Sequence, residues 1–225
     1  MKIPIIVVNV KAYAEGTGKN ALEIAKIMEK VSKDTGVNMA IAVQATDIRM
    51  ITGDVEIPVF AQHMDAIKYG SNTGWILPES IKEAGASGVL LNHSEHPMNM
   101  KDISEGIRRA RKLGLETIVC TNNIDVTMAA AALSPDFVAI EPPELIGGDI
   151  SVTEAEPEII EGVVREVREI SPDVKVLCGA GVKKGEDVEK AIELGSTGVL
   201  LASGVVKVRD KERVLREMAA AIEKK

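Results

Sequence analysis

Aromatic side chains are nearly missing from this chain, which has two Phe, two Tyr and one Trp among its 225 residues. A core cannot be built on stacked rings, so it falls to Val, Ile, Leu, Ala and Met, within a hydrophobic content of 45%. Such a composition suits strands buried on both faces, as parallel sheets require. Cysteine is scarcer still. Cys120 and Cys178 supply neither a disulfide framework nor a metal site, and reduced thiols are the expected state. A basic surplus is also lacking: 27 Lys and Arg stand against 34 Asp and Glu, for a net charge of −7. This argues against a nucleic-acid partner, which would need a basic face, although one local cation can still bind an acidic substrate. No run of 18 apolar residues occurs, so no membrane span is expected. The N-terminus enters a strand without a signal-peptide pattern, which points to a cytoplasmic location.

What is present is a repeat. Residues 83–91 read Glu-Ala-Gly-Ala-Ser-Gly-Val-Leu-Leu, and residues 193–201 read Glu-Leu-Gly-Ser-Thr-Gly-Val-Leu-Leu. Each is a helix tail, a glycine stop, a small turn and a buried strand, hence one step of a parallel α/β sheet. The two copies diverge just after the strand, into Asn92-His93-Ser94-Glu95 in one case and Ala202-Ser203-Gly204 in the other. Equivalent strands followed by unlike loops are the pattern of a closed (β/α)8 barrel, where chemistry sits beyond the strand C-termini.

Apolar runs predict strands at 3–10, 38–43, 59–61, 88–91, 117–120, 137–140, 175–178 and 198–201. Helical periodicity fills the gaps at 20–33, 47–52, 78–84, 102–113, 126–132, 157–170, 186–194 and 211–224. Pro78 stands in a first helical turn, and Gly36, Gly85, Gly114 and Gly195 are placed as stops. Eight such units select a single-domain (β/α)8 barrel over 1–225, with no linker. Mixed charge on the helices, such as Glu161 and Arg165 four apart, marks a solvated outer face.

Within a barrel, functional weight goes to residues just past each strand. Asn9 and Lys11 share one face after the first strand while Val10 turns into packing. His93 and Glu95 follow the fourth. Glu141 follows Phe-Val-Ala-Ile of the sixth, where a desolvated carboxylate can serve as a general base. It opens a segment, Glu-Pro-Pro-Glu-Leu-Ile-Gly-Gly-Asp, stiff at its prolines and loose at Gly147-Gly148, which suits a lid. Gly179-Ala180-Gly181 after the seventh strand and Ala202-Ser203-Gly204 after the eighth sit where barrels commonly hold a phosphate on backbone N–H groups.

Taken in order, Asn9-x-Lys11, Asn92-His93-Ser94-Glu95, Ile140-Glu141-Pro142, Ile146-Gly147 and the two small-residue loops resemble the triosephosphate isomerase family over essentially the whole chain. The compact length and the forms Cys-Gly-Ala-Gly-Val and Leu-Leu-Ala-Ser-Gly resemble its archaeal branch. The resemblance implies interconversion of dihydroxyacetone phosphate and D-glyceraldehyde 3-phosphate through an enediolate, in glycolysis and gluconeogenesis, with no metal and no organic cofactor. It makes Glu141 the base, His93 the electrophile, Lys11 the cation for the dianionic substrate, and Asn9 the residue that orients Lys11. Glu95 is expected near the lysine. Ile146 and Gly147 would close over the substrate, and Gly181, Ala202 and Ser203 would bind phosphate. Departures from the commoner family pattern are Val10 for an aromatic residue, Glu144 for a lid tryptophan, and Gly181 for a serine. Cys120 matches a family cysteine near the base and reads as packing.

Two other readings compete. A barrel making or breaking carbon–carbon bonds would need a Schiff-base lysine in a central strand or an acidic metal site, and neither is evident. A silent scaffold would lack Lys11, His93 or Glu141, and all are present. The long segment 62–77 carries Tyr69, Thr73 and Trp75, an interface signal in a chain so poor in aromatics. In the resembling family this loop reaches into a neighbouring subunit, which implies a homo-oligomer. The archaeal-like form favours a tetramer, with a dimer as the alternative.

Overall fold

The computed structural model describes residues 1–142, 152–155 and 157–223. Its strands are β1 (Ile5–Asn9), β2 (Asn38–Val43), β3 (Val59–Ala61), β4 (Gly88–Leu91), β5 (Glu116–Thr121), β6 (Phe137–Ile140), β7 (Lys175–Gly179) and β8 (Gly198–Leu201). Each pairs in parallel with its chain neighbours, and β8 pairs with β1 through Ile5–Gly198 to Val8–Leu201, so the sheet closes on itself. The expected (β/α)8 barrel is the observed one.

Helices α1 (Lys19–Thr35), α2 (Ile48–Thr52), α3 (Pro78–Glu83), α4 (Met100–Leu113) and α5 (Ile124–Ala131) fall between the strands. They are followed by α6 (Val152–Ala155), α7 (Pro157–Ile170), α8 (Gly185–Glu193), α9 (Ser203–Val206) and α10 (Lys211–Glu223). The pieces α6 and α9, and a 3-10 turn at Ala14–Gly16, are too short to leave a periodic trace in the sequence.

Boundaries differ from periodicity for local reasons. β1 starts at Ile5 rather than residue 3, because Pro4 has no N–H for the ladder and Ile3 is exposed. α4 begins two residues earlier than its apolar period, since the Asn99 side chain accepts from the Asp102 N–H at 3.0 Å and caps it. Asn123 does the same for α5 through the Val126 N–H at 2.9 Å. Gly36 ends α1 with φ 73° and donates to the Ser32 carbonyl, a left-handed stop that a side chain would strain.

Strand alternation divides the core into two layers. Val7, Ala40, Ala42, Leu90, Ile118, Ala139, Leu177 and Leu200 fill the barrel interior together with both phenylalanines, Phe60 and Phe137. Their neighbours, such as Val8, Ile41, Val89, Val119, Val138 and Val199, face the helices. The scarce large rings sit inside, and glycine makes the room for one of them. A Cβ on Gly88 would overlap the Phe60 ring and come within 2.5 Å of the Glu116 carbonyl. No helix among the described residues is long and apolar enough to cross a membrane. Gly88→Ala should therefore destabilise the barrel by about 1–3 kcal/mol, the usual cost of overfilling a packed core. Urea unfolding checks this, and an unchanged midpoint would show that the interior repacks freely.

Candidate active site

Backbone strain collects at one end of the barrel. Among the described residues the non-glycine positions with positive φ are Lys11, Asn92, Ser134 and Ala180. Three of the four lie one or two residues beyond a strand, after β1, β4 and β7. Left-handed backbone on ordinary side chains persists only where its surroundings hold it, and for Lys11 and Asn92 the holding bonds are visible.

Lys11 (φ 51°) donates its N–H to Asn9 Oδ1 at 3.0 Å. The Gln62 amide then donates to Asn9 Oδ1 at 3.1 Å and to the Lys11 carbonyl at 3.0 Å. Gln62 thus clamps the turn that carries both residues. Val10 between them is fully buried among the outer core residues, as alternation predicts. The Lys11 ammonium pairs with Glu95 at 2.8 Å.

Asn92 (φ 58°) bridges two segments, donating to the Cys120 carbonyl at 2.9 Å and accepting from the Met98 N–H at 2.9 Å. The bend it makes directs His93 into the mouth. There the Glu95 N–H donates to His93 Nδ1 at 3.2 Å. An Nδ1 that accepts places the ring proton on Nε2, so the imidazole is neutral and presents an N–H to the cavity. Glu141 continues the β6 ladder, its N–H bonded to the Thr121 carbonyl at 2.8 Å. Its Oε2 lies 3.7 Å from His93 Nε2, outside hydrogen-bond range. Both of these buried atoms lack a hydrogen-bond partner.

Room for the carboxylate comes from Gly179, the last residue of β7. A Cβ there would overlap Glu141 Cγ and stand 3.1 Å from its Cδ. Gly179 therefore shapes the space beside Glu141, whereas its sequence context suggested only a phosphate loop. The Cys120 thiol is pushed well above its usual range by burial first and then by the adjacent Glu141 carboxylate. Burial likewise raises Cys178. A buried thiol whose pKa is raised carries little thiolate and is a poor nucleophile.

One cavity of about 180 Å³ gathers Asn9, Lys11, His93, Glu95, Glu141, Gly181, Ala202 and Ser203. Eight of the residues singled out in the sequence thus meet at one place. Ile146 and Gly147, and the rest of the expected lid, lie outside the described residues. Sequence reasoning missed Tyr13 and Lys183, which also line the cavity, and Gln62 and Gly179, which shape it. Asp187 fixes the β7–α8 turn, its Oδ2 accepting from the N–H groups of Lys183 at 2.8 Å and Lys184 at 3.0 Å. Across from it, Ser203 and Gly204 open α9, where N–H groups have no carbonyl one turn back to bond. Among the described residues no three His, Cys, Asp or Glu side chains form a metal-binding group.

Fold and site together define an acid–base enzyme on a (β/α)8 barrel: a buried carboxylate, a neutral imidazole and a lysine around a small polar cavity. The sequence model described as Triosephosphate isomerase matches residues 4–221. The chain is 57% identical over 214 residues to the triosephosphate isomerase of Methanocaldococcus jannaschii, covering 95% of this chain and 98% of that protein. It is 53% identical to that of Methanothermus fervidus, with 97% and 98% covered. With the triosephosphate isomerase of Archaeoglobus fulgidus it shares 51% identity, over 98% of this chain and 99% of that one. The crystal structure of triosephosphate isomerase from Bartonella henselae superposes with a TM-score of 0.78 at 20% identity, over 99% of this chain and 100% of that one, a likeness of fold. The chain belongs to the triosephosphate isomerase family, and its similarity to archaeal members bears out the archaeal branch read from the sequence.

Gly179→Ala should keep the fold, push the Glu141 side chain aside and lower turnover about 10²-fold, since a misplacement of about an ångström in a site can cost that much. Circular dichroism with steady-state kinetics checks it. Normal turnover would mean that activity does not depend on where the Glu141 side chain sits.

Proposed function

We propose that this cavity interconverts dihydroxyacetone phosphate and D-glyceraldehyde 3-phosphate by moving one proton through the Glu141 carboxylate. The observation that carries the reading is the pair of unpartnered buried atoms, Glu141 Oε2 and His93 Nε2, facing each other across 3.7 Å. Glu141 takes a proton from C1 of the ketose and the electron pair moves toward the C2 oxygen, giving an enediolate. His93 Nε2–H and the Lys11 ammonium stabilise the charge that develops on oxygen. The same carboxylate then returns the proton to C2, and the hydroxyl proton passes between the two oxygens by way of the imidazole. Asn9 fixes Lys11 through its N–H, and Glu95 both pairs with Lys11 and sets the His93 tautomer through its own N–H. The phosphate is held on the backbone N–H groups of Gly181, Ala202 and Ser203. Ile146 and Gly147 close over the substrate and exclude water from the enediolate. The reaction belongs to glycolysis and gluconeogenesis, in the cytoplasm.

A carbon–carbon lyase reading finds little support. None of the buried residues of the strands is a lysine, and Lys11 is held in an ion pair with Glu95. Lys175, at the start of β7, lies over the Phe137 ring at 5.1 Å, at the end of the barrel away from the cavity.

The oligomer reading rests on segment 62–77. Its base is pinched by the Asp65 N–H to Ile76 carbonyl bond and by the Ile76 N–H to Asp65 Oδ2 bond, at 2.9 and 2.6 Å. Beyond the pinch Tyr69 and Trp75 are 76% and 60% exposed, a large apolar surface to leave in water. Beside it a cavity of about 420 Å³ runs behind Lys11, His93 and Glu95, lined also by Gln62, His63 and His96. A neighbour's loop entering there supports the turn that carries Lys11. A homotetramer, whose second contact uses outer helices, is the form favoured over a dimer.

Glu141→Gln should fold normally and lose roughly 10² to 10⁴-fold in turnover, the usual worth of a positioned base. A coupled isomerisation assay reads this, and activity within a few-fold of wild type would place the base elsewhere. Light scattering beside activity over a dilution series tests the assembly. Activity should fall as the oligomer dissociates, and a fully active monomer at every concentration would overturn it.

A further inference from the structure

Two histidines outside the acid–base pair lie ring on ring. The imidazoles of His63 and His96 stack with centroids 4.0 Å apart and planes 20° from parallel. Each stands one residue beyond a group that orders the mouth of the barrel. His63 follows Gln62, whose amide bonds Asn9 and the Lys11 carbonyl. His96 follows Glu95, whose N–H reaches His93 Nδ1 and whose carboxylate pairs with Lys11. The stack therefore joins the loop after β3 to the turn after β4, where both reach toward the lysine and the active imidazole.

Both rings belong to a continuous line of contacts. His63 Nε2 lies 3.2 Å from Asp65 Oδ1, and the other oxygen of Asp65 accepts from the Ile76 N–H at 2.6 Å. On the far side of the stack, the His96 N–H donates to the His93 carbonyl at 2.7 Å and closes a turn over His93–His96. The pinch at the base of segment 62–77 is thereby connected to the backbone of His93. His96 is exposed, so enclosure by the core does not hold its ring.

We propose that His63 and His96 are positioning residues, whose stack seats the His93–His96 turn on the loop after β3 and so keeps the Glu95 N–H on His93 Nδ1. They act through His93 and not on the substrate. The effect on turnover rests on the isomerase reading, whereas the effect on the His93 ring does not.

A stack of two imidazoles is also sensitive to acid. Neutral rings attract at this distance, whereas a proton on each sets like charges face to face. Among the described residues, the charged and titratable groups facing the pair are Asp65 on the same loop and Lys11, His93 and Glu95 across the cavity; Gln44, Thr46 and Ile76 complete that wall without charge. Burial pushes the His63 imidazole below its usual value, the Asp65 carboxylate pulls it back up, and His96 adds to the lowering. Because the folded value is depressed, the stabilisation from His63 is present above histidine's usual value of about 6.5 and is lost as pH falls below it.

The experiment compares wild type with His96→Ala and His96→Phe at one protein concentration. Steady-state kinetics are measured near pH 8 and near pH 5.5, and nitrogen-15 NMR of the empty protein near pH 8 reads the His93 ring. His96→Ala should lower kcat about tenfold near pH 8 and leave KM within about twofold, because a shifted turn misplaces the imidazole without weakening phosphate binding. His96→Phe keeps a flat ring on His63 and cannot take up a proton. It should stay within about twofold of wild type near pH 8 and lose about threefold less activity than wild type on acidification. The hydrogen-bonded Nδ1 signal of His93 is expected in wild type and His96→Phe, and lost or averaged in His96→Ala. An unchanged His93 signal in His96→Ala would overturn the proposal, as would equal kinetic losses in the two variants or equal acid losses in wild type and His96→Phe. Because the NMR measurement needs no substrate, a wild-type chain without isomerase activity would overturn that reading and leave the positioning role to the His93 signal.

Discussion

A carboxylate oxygen and an imidazole nitrogen, both buried and both without a partner, are the constraint around which this barrel is arranged. Leaving a buried polar atom unsatisfied costs about 1–3 kcal/mol, so folded chains rarely keep two of them 3.7 Å apart. Here neighbouring groups prevent relaxation. Glu141 is tied into the β6 ladder and fits into space that Gly179 leaves empty. His93 is directed into the mouth by the bridging side chain of Asn92 and held by the Glu95 N–H. In the proposed reaction the substrate supplies the missing partners, so the cost carried by the empty site is relieved on binding.

Stability and chemistry occupy different parts of the molecule. Interior aliphatic residues and two phenylalanines make the barrel rigid, and glycines such as Gly88 and Gly179 are spaces cut for particular side chains. At the mouth the backbone takes positive φ at Lys11, Asn92 and Ala180, and bonds from Asn9, Gln62 and the Cys120 carbonyl hold the first two. A lysine, a histidine and a carboxylate from β1, β4 and β6 converge only because the closed sheet sets their distances. An open sheet would leave β1 and β8 at opposite edges, and Lys11 would not share a cavity with Ser203.

Much of this is legible in the sequence, and the exceptions have two physical causes. Apolar runs located all eight strands, and the alternation of Asn9, Val10 and Lys11 correctly placed two polar residues toward the mouth and one apolar residue away from it. Helix starts were missed at Asn99 and Asn123, where a single cap overrides periodicity. Through-space relations were invisible. Gln62 follows β3 as an ordinary polar residue, and nothing in its neighbourhood signals that its amide reaches across to Asn9 and Lys11. Gly179 read as part of a phosphate loop because its true neighbour, Glu141, is 38 positions away in the chain. The cavity residues Tyr13 and Lys183 escaped notice for the same reason. The family resemblance supplied roles for residues, whereas the distances supply the reasons those residues can act together.

The central claim is that His93 is a neutral imidazole donating through Nε2 toward the carboxylate-lined cavity, because the Glu95 N–H occupies Nδ1. Nitrogen-15 NMR of histidine-labelled protein at pH 8, with His93 assigned by its substitution, measures this directly, empty and with 2-phosphoglycolate bound. A protonated Nε2 and a bare, hydrogen-bonded Nδ1 are expected in both states. A His93 ring carrying its proton on Nδ1 would contradict this, since Nε2 could then neither donate to a carbonyl oxygen nor stabilise an enediolate.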